Sequence, residues 1–373
     1  MKQLAIVVIL CAQSLCAQVS GPSQEELLSL TDQLRSAMAA GDWKAAASLS
    51  ASLSDAVRQA RNSSLQATNS KQIGSVLSWL PKDTETIAVA QQPFTVPASN
   101  AQKQADALTA ARGYILNLLS PFVDEHAMTP LDGRTLRYSV IAARKYRNHQ
   151  ASGNDALPLG MIAFEGCGVY ALADPIQDSA FSQPPNLMIL GRSVWSVEHD
   201  LGGQPTGSTP IYETSFLTRI EPDTLLACND KSFFSSVLSQ LPSASQTSRF
   251  EALPEWKQID RLAPVWGLRH FNPATAATDP TYPVNKDSDT EDLGATGIAF
   301  QAGSPEGKIQ VRWLTKSKEN PLEEAVESVD FKDAMTVRRV SEGVWEMSAN
   351  ELGDAGNYAI LVIMSMLGFA VLV

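Results

Sequence analysis

The sequence has few of the residues, and none of the short motifs, on which common enzyme active sites depend. Its 373 residues include only four histidines and four cysteines. Gly-x-Ser-x-Gly, Ser-x-x-Lys, His-Glu-x-x-His and phosphate-binding loop motifs are all absent from it. These absences argue against a hydrolase or nucleotide-binding enzyme of a familiar kind, although scattered residues can form a triad in an unrelated fold. We expect no cofactor.

Basic residues are also scarce relative to acidic ones. The chain has 29 lysines and arginines against 40 aspartates and glutamates, a formal charge of -11. Nucleic acids and anionic lipids are bound through clustered basic side chains. The densest basic cluster is the short stretch 144–147, so we expect no nucleic-acid partner. A hydrophobic content of 44% with 18% charged residues indicates a globular protein.

Residues 1–17 have the pattern of a secretory signal peptide. Lys2 provides the positive start, residues 4–12 form an apolar run too short to span a bilayer, and small residues follow. Both cysteines in this segment follow leucine, whereas a lipidated cysteine requires small residues before it. We therefore expect cleavage and export to the periplasm, the cell envelope or the extracellular space.

Residues 18–61 are predicted to form an αα-hairpin. Ser23 and Glu26 match a capping box, apolar residues recur at helical spacing, and Gly41-Asp42 interrupts the pattern. The stretch 40–46 resembles one helix-turn-helix of a tetratricopeptide-like repeat, although a stacked array needs about three units. Two interpretations stay open: residues 23–61 bind a protein partner, or they are a helical appendage that packs on the body or self-associates.

Residues 62–75 are polar and low in hydrophobicity, which predicts a linker. Residues 76–358 alternate apolar, strand-like runs with Gly and Pro turns and amphipathic stretches. This pattern predicts an α+β fold, in which a mixed or antiparallel sheet body with packed helices follows the N-terminal αα-hairpin.

The clearest pattern in the body covers residues 216–241. It predicts a strand, a turn at Glu221-Pro222-Asp223, a second strand, and an amphipathic helix from Lys231 capped by Asn229 or Asp230. The helix is therefore expected to pack on a sheet.

A fainter copy of this pattern begins at Leu80, where Pro81 and Asp83-Thr84 precede another apolar run. The repetition suggests a duplicated body with halves 76–210 and 211–358. The export signal, the hairpin and the Leu-Pro-x-Asp-Thr turn together resemble uncharacterised exported bacterial proteins. This resemblance covers the signal and the turns at Leu80 and Glu221, and it implies no activity.

Two histidines with adjacent carboxylates are the catalytic candidates. His126 follows Asp124-Glu125, and His199 lies between Glu198 and Asp200. Neighbouring residues of a strand point to opposite faces, and neither histidine has a second ligand at the i+4 spacing of helical metal sites. The candidates are therefore His199, Asp200 and His126. His270, in an apolar strand, is expected to be structural.

Acidic residues at 287–292 resemble the start of a calcium loop. Asp287, Asp289 and Glu291 are the candidate ligands. Asp292 occupies the place of the turn glycine and Ile298 that of the bidentate glutamate. The segment is either a solvated acidic loop or an irregular calcium site.

Cys167 and Cys228 are the cysteines that remain after removal of the signal. An exported chain with one such pair forms either a disulfide or two separate buried thiols. The Cα separation decides between them, and the sequence does not supply it.

Residues 359–373 are apolar and contain no charge. As a helix they would span about 22 Å, less than the hydrocarbon core of about 30 Å. We expect either a buried core strand or a membrane anchor.

Two functions follow from these patterns. The first is an exported, non-enzymatic envelope or extracytoplasmic protein that binds a protein partner. The alternative is a secreted hydrolase or small-ligand-binding protein with a site near His199 and the acidic loop. The seven tryptophans suit a ligand groove or, more commonly, core packing.

Overall fold

A computed structural model of the chain describes residues 23–91, 94–95, 131, 133–147, 163–181, 183–200, 212–241, 248–271, 295–303, 308–315, 335–350, 356 and 359. The predicted signal peptide, His126, the acidic loop and residues 360–373 lie outside this range. The chain divides into two compact units, residues 1–72 and 73–373. The predicted halves 76–210 and 211–358 thus fall within one unit.

Two helices form the described part of the first unit. Helix α1 spans Gln24–Ala39, and the hydroxyl of its N-cap Ser23 accepts a hydrogen bond from the Glu26 N–H at 3.1 Å. Helix α2 spans Trp43–Trp79. Gly41, with a φ of 73°, makes the reversal between the helices. The two helices share an apolar cluster of buried residues: Leu27, Leu34, Ala46, Leu53 and Ala56.

The linker predicted at 62–75 is wrong, because helix α2 continues through this segment to Trp79. Polar composition lowers hydrophobicity without breaking a helix. The segment contains no proline and only one glycine, Gly74. The last turns of α2 instead reach the sheet core, where Ile73, Val76 and Leu77 are buried.

The second unit is built on a sheet of thirteen described strands, and every pairing in it is antiparallel. The predicted α+β class is therefore confirmed. The order is β12-β13-β11-β10-β9-β1-β3-β4-β8-β7-β6-β5, with β2 paired to β3. The strands are β1 Thr86–Ala90, β2 Phe94–Thr95, β3 Thr135–Arg147, β4 Ala163–Leu172, β5 Leu187–Ile189, β6 Arg192–Asp200, β7 Tyr212–Glu221, β8 Thr224–Cys228, β9 Val265–His270, β10 Ala295–Ala302, β11 Lys308–Thr315, β12 Met335–Ser341 and β13 Val344–Asn350.

Helix α3, Lys231–Gln240, packs on the sheet as the sequence predicts. Asp230 is its N-cap, and the carboxylate accepts a hydrogen bond from the Phe233 N–H at 2.7 Å. Asn229, the other predicted cap, accepts from the Gly166 N–H of β4 instead. This unit also contains three short 3-10 helices: Asp178–Ala180, Arg249–Ala252 and Pro254–Gln258.

Arg144 of β3 connects the sheet to the elements packed on it. Its guanidinium contacts the carboxylates of Glu165 on β4 at 2.5 Å, Asp83 before β1 at 3.1 Å and Asp230 at 3.2 Å. It also lies 5.0 Å from the ring centroid of Phe233. The side chains of Arg144, Glu165 and Asp230 are all nearly buried. Arg144 is the first residue of the basic cluster noted in the sequence. It thus pairs with carboxylates of its own chain.

A second buried carboxylate fixes the edge of the sheet. Glu346 of β13 is 1% exposed and accepts from Arg312 on β11 at 2.8 Å and from Arg338 on β12 at 2.7 Å. Burial raises the pKa of Glu346, but hydrogen bonds from the two arginines lower it more, and the net direction is down. The carboxylate is therefore held ionised between neighbouring strands.

No helix in the described ranges is long and apolar enough to cross a membrane. Within the apolar C-terminal segment only Ala359 is described, and it is helical and fully buried. Residues 360–373, on which the choice between a core strand and a membrane anchor depends, lie outside the described ranges.

The turn between β5 and β6 generates a prediction about stability. Leu190 and Gly191 have φ values of 48° and 76°, and Leu190 is the one non-glycine residue in the described ranges with a positive φ. Asparagine tolerates this conformation better than leucine. Leu190→Asn should raise the free energy of unfolding by about 1 kcal/mol, measured by urea denaturation. Leu190→Gln is the control, because glutamine is as polar as asparagine but does not tolerate a positive φ as well. Equal effects of the two substitutions on the free energy of unfolding would show that Leu190 is not strained.

Arg144 generates the second prediction. Removing one partner of a buried ion pair leaves an uncompensated charge, so Arg144→Met should lower the free energy of unfolding by about 3–5 kcal/mol. Glu165→Gln in the same chain removes one stranded carboxylate and should recover part of the loss. Denaturation of both variants measures this. A loss below about 1 kcal/mol, the range of a surface pair, would show that Arg144 is not essential to the fold.

Candidate functional site

The candidates that the sequence singled out lie at the end of β6 or outside the described residues. His199 and Asp200 lie at the end of β6, where their backbones pair with Glu213 and Tyr212 of β7. The side chains of these two candidates lie outside the described part of the chain. The same is true of four entire candidate residues: His126, Asp287, Asp289 and Glu291. Within that part, no group of three or more His, Cys, Asp and Glu residues is placed to hold a metal ion.

A different pair of titratable residues meets where β9 ends. Glu255 lies in the 3-10 helix Pro254–Gln258, which packs on β9 and β10. Its side chain is fully buried, and Oε1 lies 3.0 Å from Nδ1 of His270, whose side chain is 41% exposed. Glu255 and His270 are called the Glu255–His270 pair below.

Gly297 of β10 makes room for the pair. It lies opposite His270 in the β9–β10 register. A Cβ atom at Gly297 would overlap the carboxylate of Glu255. The absence of a side chain at this position therefore allows a buried carboxylate to lie against the sheet.

The electrostatics of the pair favour a protonated imidazole. The hydrogen bond to Glu255 raises the pKa of His270, and its effect exceeds the opposing effect of burial. The negative charges of Glu255 and Glu85 add to the rise, while Arg249 opposes it. The backbone is fixed as well, because the His270 N–H donates to the Glu85 carbonyl at 2.9 Å.

The second carboxylate oxygen of Glu255 has an unusual environment. Oε2 is buried, and none of the described residues gives it a hydrogen bond. Buried carboxylate oxygens are normally hydrogen-bonded, and each exception needs an explanation. This oxygen and the half-exposed imidazole give the pair one buried acceptor and one group that reaches solvent.

A carboxylate that orients an imidazole through one ring nitrogen leaves the other nitrogen for proton exchange. The Glu255–His270 pair has this arrangement, so proton transfer or ligand binding is the chemistry that it supports. Sequence reasoning missed Glu255 because it lies 15 residues before His270, on another element and in no recognisable motif. The only signal in the sequence is a lone histidine at the end of an apolar strand, a pattern that favours a structural role.

No protein-family model matches the chain, and no curated protein matches it. Three crystal forms of the treponemal protein TP0453 align with it at TM-scores of 0.37, 0.36 and 0.35. Their sequences are 11%, 10% and 10% identical to this chain. The alignments cover 78%, 78% and 77% of this chain and 96%, 97% and 95% of TP0453. A likeness of this size carries no inference about fold or function.

The pair generates a prediction about pH. The folded-state pKa of His270 is raised, so its stabilisation is fully present below the unfolded pKa of about 6.5 and is lost as pH rises through the folded value. Glu255→Gln should lower the NMR titration midpoint of His270. Because the variant loses the contribution of protonated His270, Glu255→Gln should lower the free energy of unfolding by more at pH 5.5 than at pH 8.5.

Glu251→Gln is the matched control, because Glu251 is an exposed glutamate on the preceding 3-10 helix. It should leave the midpoint of His270 unchanged. Equal midpoints in the wild type and Glu255→Gln would show that the hydrogen bond does not set the pKa of His270.

Proposed function

We propose that this chain is an exported, non-enzymatic protein of the cell envelope or extracytoplasmic space, and that its residues 23–61 bind a protein partner. One observation carries the proposal, which is the exposure of Trp43. The side chain of this residue is 64% exposed.

The exposure of Trp43 stands out against the other six tryptophans, all of which lie in the described ranges. None of them is exposed: Trp79, Trp195, Trp266 and Trp313 are buried, and Trp256 and Trp345 are half-buried. The fold thus buries four of these tryptophans, partly covers two and leaves Trp43 on the surface. Burying an aromatic side chain is strongly favourable, so a partner that covers Trp43 would gain from it.

The position of Trp43 suits an interface. It is the first residue of α2 and follows the turn 40–42, and its backbone N–H donates to the Gly41 carbonyl at 3.1 Å. The helix fixes its backbone, which lowers the entropy cost of binding. Tryptophan is enriched among the residues that dominate binding energy. Leu28 of α1, 42% exposed, adds a second apolar side chain to the same unit.

The resemblance of residues 40–46 to one tetratricopeptide-like unit agrees with this proposal. A single unit of this kind does not make a stacked array, so the partner would pack on the apolar surface that neighbouring repeats would otherwise cover. A second copy of the chain is the alternative occupant, and the experiment below distinguishes the two. Export is proposed from residues 1–17, and attachment to a membrane through residues 359–373 is a separate proposal.

The Glu255–His270 pair favours a second candidate, a secreted hydrolase or small-ligand-binding protein. The pair lies at the end of β9, from which the chain enters residues 272–294 and the acidic segment with Asp287, Asp289 and Glu291. A ligand bound here would meet an imidazole whose pKa is raised by the carboxylates of Glu255 and Glu85. The site near His199 that the sequence suggests stays a separate prediction.

We also propose that the body arose by duplication. The two Pro–Asp–Thr turns that suggested it both bind arginines of β3. Asp83 pairs with Arg144 at 3.1 Å, and Asp223 pairs with Arg137 at 2.7 Å. The strands that follow the turns, β1 and β8, are buried along their whole length. These shared contacts support a common origin of the two segments.

Photo-cross-linking tests the proposed function. A photoreactive phenylalanine analogue at position 43 of the full-length chain, expressed in its own cells, should give one dominant cross-linked protein identified by mass spectrometry. The matched control carries the analogue at position 190, since Leu190 is 65% exposed in the other unit. Trp43→Ala should then weaken that complex by about 30-fold or more, the effect of a hot spot of about 2 kcal/mol.

Trp43→Ala should change the free energy of unfolding by no more than about 0.5 kcal/mol, because the side chain is exposed. Identical cross-linked proteins at positions 43 and 190, or none at 43, would contradict the proposal. A cross-linked second copy of the chain would replace it with self-association.

A further inference from the structure

Cys167 of β4 and Cys228 of β8 are direct partners in the sheet register. Both are fully buried and have free thiols, and they belong to the same face of the core. The two thiols lie within hydrogen-bonding contact of each other. Two cysteines that are 61 positions apart in the sequence thus meet side by side.

The ladder hydrogen bonds show which kind of antiparallel pair this is. The Asn229 N–H donates to the Gly166 carbonyl at 3.2 Å, so residues 166 and 229 occupy a hydrogen-bonded position. Leu172 donates to the Asp223 carbonyl at 2.8 Å, five residues further along β4, and agrees with this alternation. Cys167 and Cys228 therefore form a non-hydrogen-bonded pair.

The geometry of such a pair suits a covalent bond. Directly opposed residues at non-hydrogen-bonded positions have Cα atoms about 4.5 Å apart, within the range of about 4.4–6.8 Å found for disulfides. A bond would therefore require no shift of either strand. It would join β4, in the predicted first half of the body, to β8 in the second.

We propose that Cys167 and Cys228 are oxidised to a cross-strand disulfide while the chain folds, before β4 and β8 close over them. The occurrence of this bond in the native protein rests on the proposed export, because cytosolic thiols are kept reduced. The ability of the pair to form the bond rests on the register alone.

The oxidant is an oxidised dithiol protein or, in vitro, oxidised glutathione. The thiolate of one cysteine attacks the disulfide of the oxidant, forms a mixed disulfide and expels one thiolate. The thiolate of the second cysteine then attacks the sulfur of the first and expels the other. The cysteines lose two electrons and two protons, and the oxidant gains both as two thiols.

Burial determines when the reaction occurs. Burial raises the pKa of Cys228 well above its ordinary value, and the hydrogen bond with Cys167 raises it further. Thiolates carry out the exchange, so in the folded chain Cys228 is a poor nucleophile, and both buried cysteines are closed to an oxidant. The bond forms only on an open chain, and once enclosed it resists reductants.

Refolding of the full-length chain tests the proposal. The reduced, denatured chain is refolded with a mixture of oxidised and reduced glutathione, alkylated in denaturant and mapped by mass spectrometry. Peptides containing residues 167 and 228 should be linked in most molecules, whose circular dichroism matches that of chain refolded under reducing conditions. Chain folded first under reducing conditions and then given the same mixture should keep both thiols free until it is unfolded.

Cys228→Ser is the matched control, because it keeps the shape of the side chain and cannot form the bond. Alkylation of both Cys167 and Cys228 after oxidative refolding would overturn the proposal, as would linkage confined to molecules with a non-native spectrum. A bond that forms on refolding but is missing from chain recovered from cells would contradict the proposed export and overturn the disulfide as a native feature.

Discussion

The body depends on one cation held among three carboxylates. Arg144 reaches Glu165 on the next strand, Asp83 at the turn into β1 and Asp230 at the start of α3. These groups come from parts of the chain as many as 147 positions apart, so the interaction fixes how separate segments meet. Because a buried ion without a partner is very costly, alternative arrangements of these segments are disfavoured. Glu346 between Arg312 and Arg338 serves the edge strands in the same way.

Two pairs of side chains can change their chemical state. The Glu255–His270 pair can gain or lose a proton, and Cys167 and Cys228 can be oxidised. His270 is half-exposed and is hydrogen-bonded to the fully buried carboxylate of Glu255. Protonation of its imidazole therefore changes the charge beside a buried group. Cys167 and Cys228 are enclosed in the core cluster that also contains Phe233, the ring that Arg144 contacts. The first pair exchanges protons with solvent in the folded state, whereas the second reacts only before folding is complete.

Local patterns predicted the segment 216–241 well, because a turn proline, a capping aspartate and a helical apolar stripe act over a few residues. The linker at 62–75 was wrong, since polar composition alone does not distinguish a solvated helix from a loop. The position of β1 between β3 and β9 and the meeting of Glu255 with His270 depend on contacts distant in sequence. No local signal specifies these two contacts. The sequence around His270 alone therefore does not identify Glu255 as its partner.

The most direct test of the account is hydroxyl-radical footprinting of the seven tryptophans, in the purified chain and in intact cells. In the purified chain Trp43 should be oxidised far faster than the buried Trp79, Trp195, Trp266 and Trp313, because only its side chain is exposed. In cells its oxidation should fall toward theirs, because the proposed partner covers it. Equal oxidation of Trp43 in cells and in the purified chain would contradict the claim that residues 23–61 bind a partner.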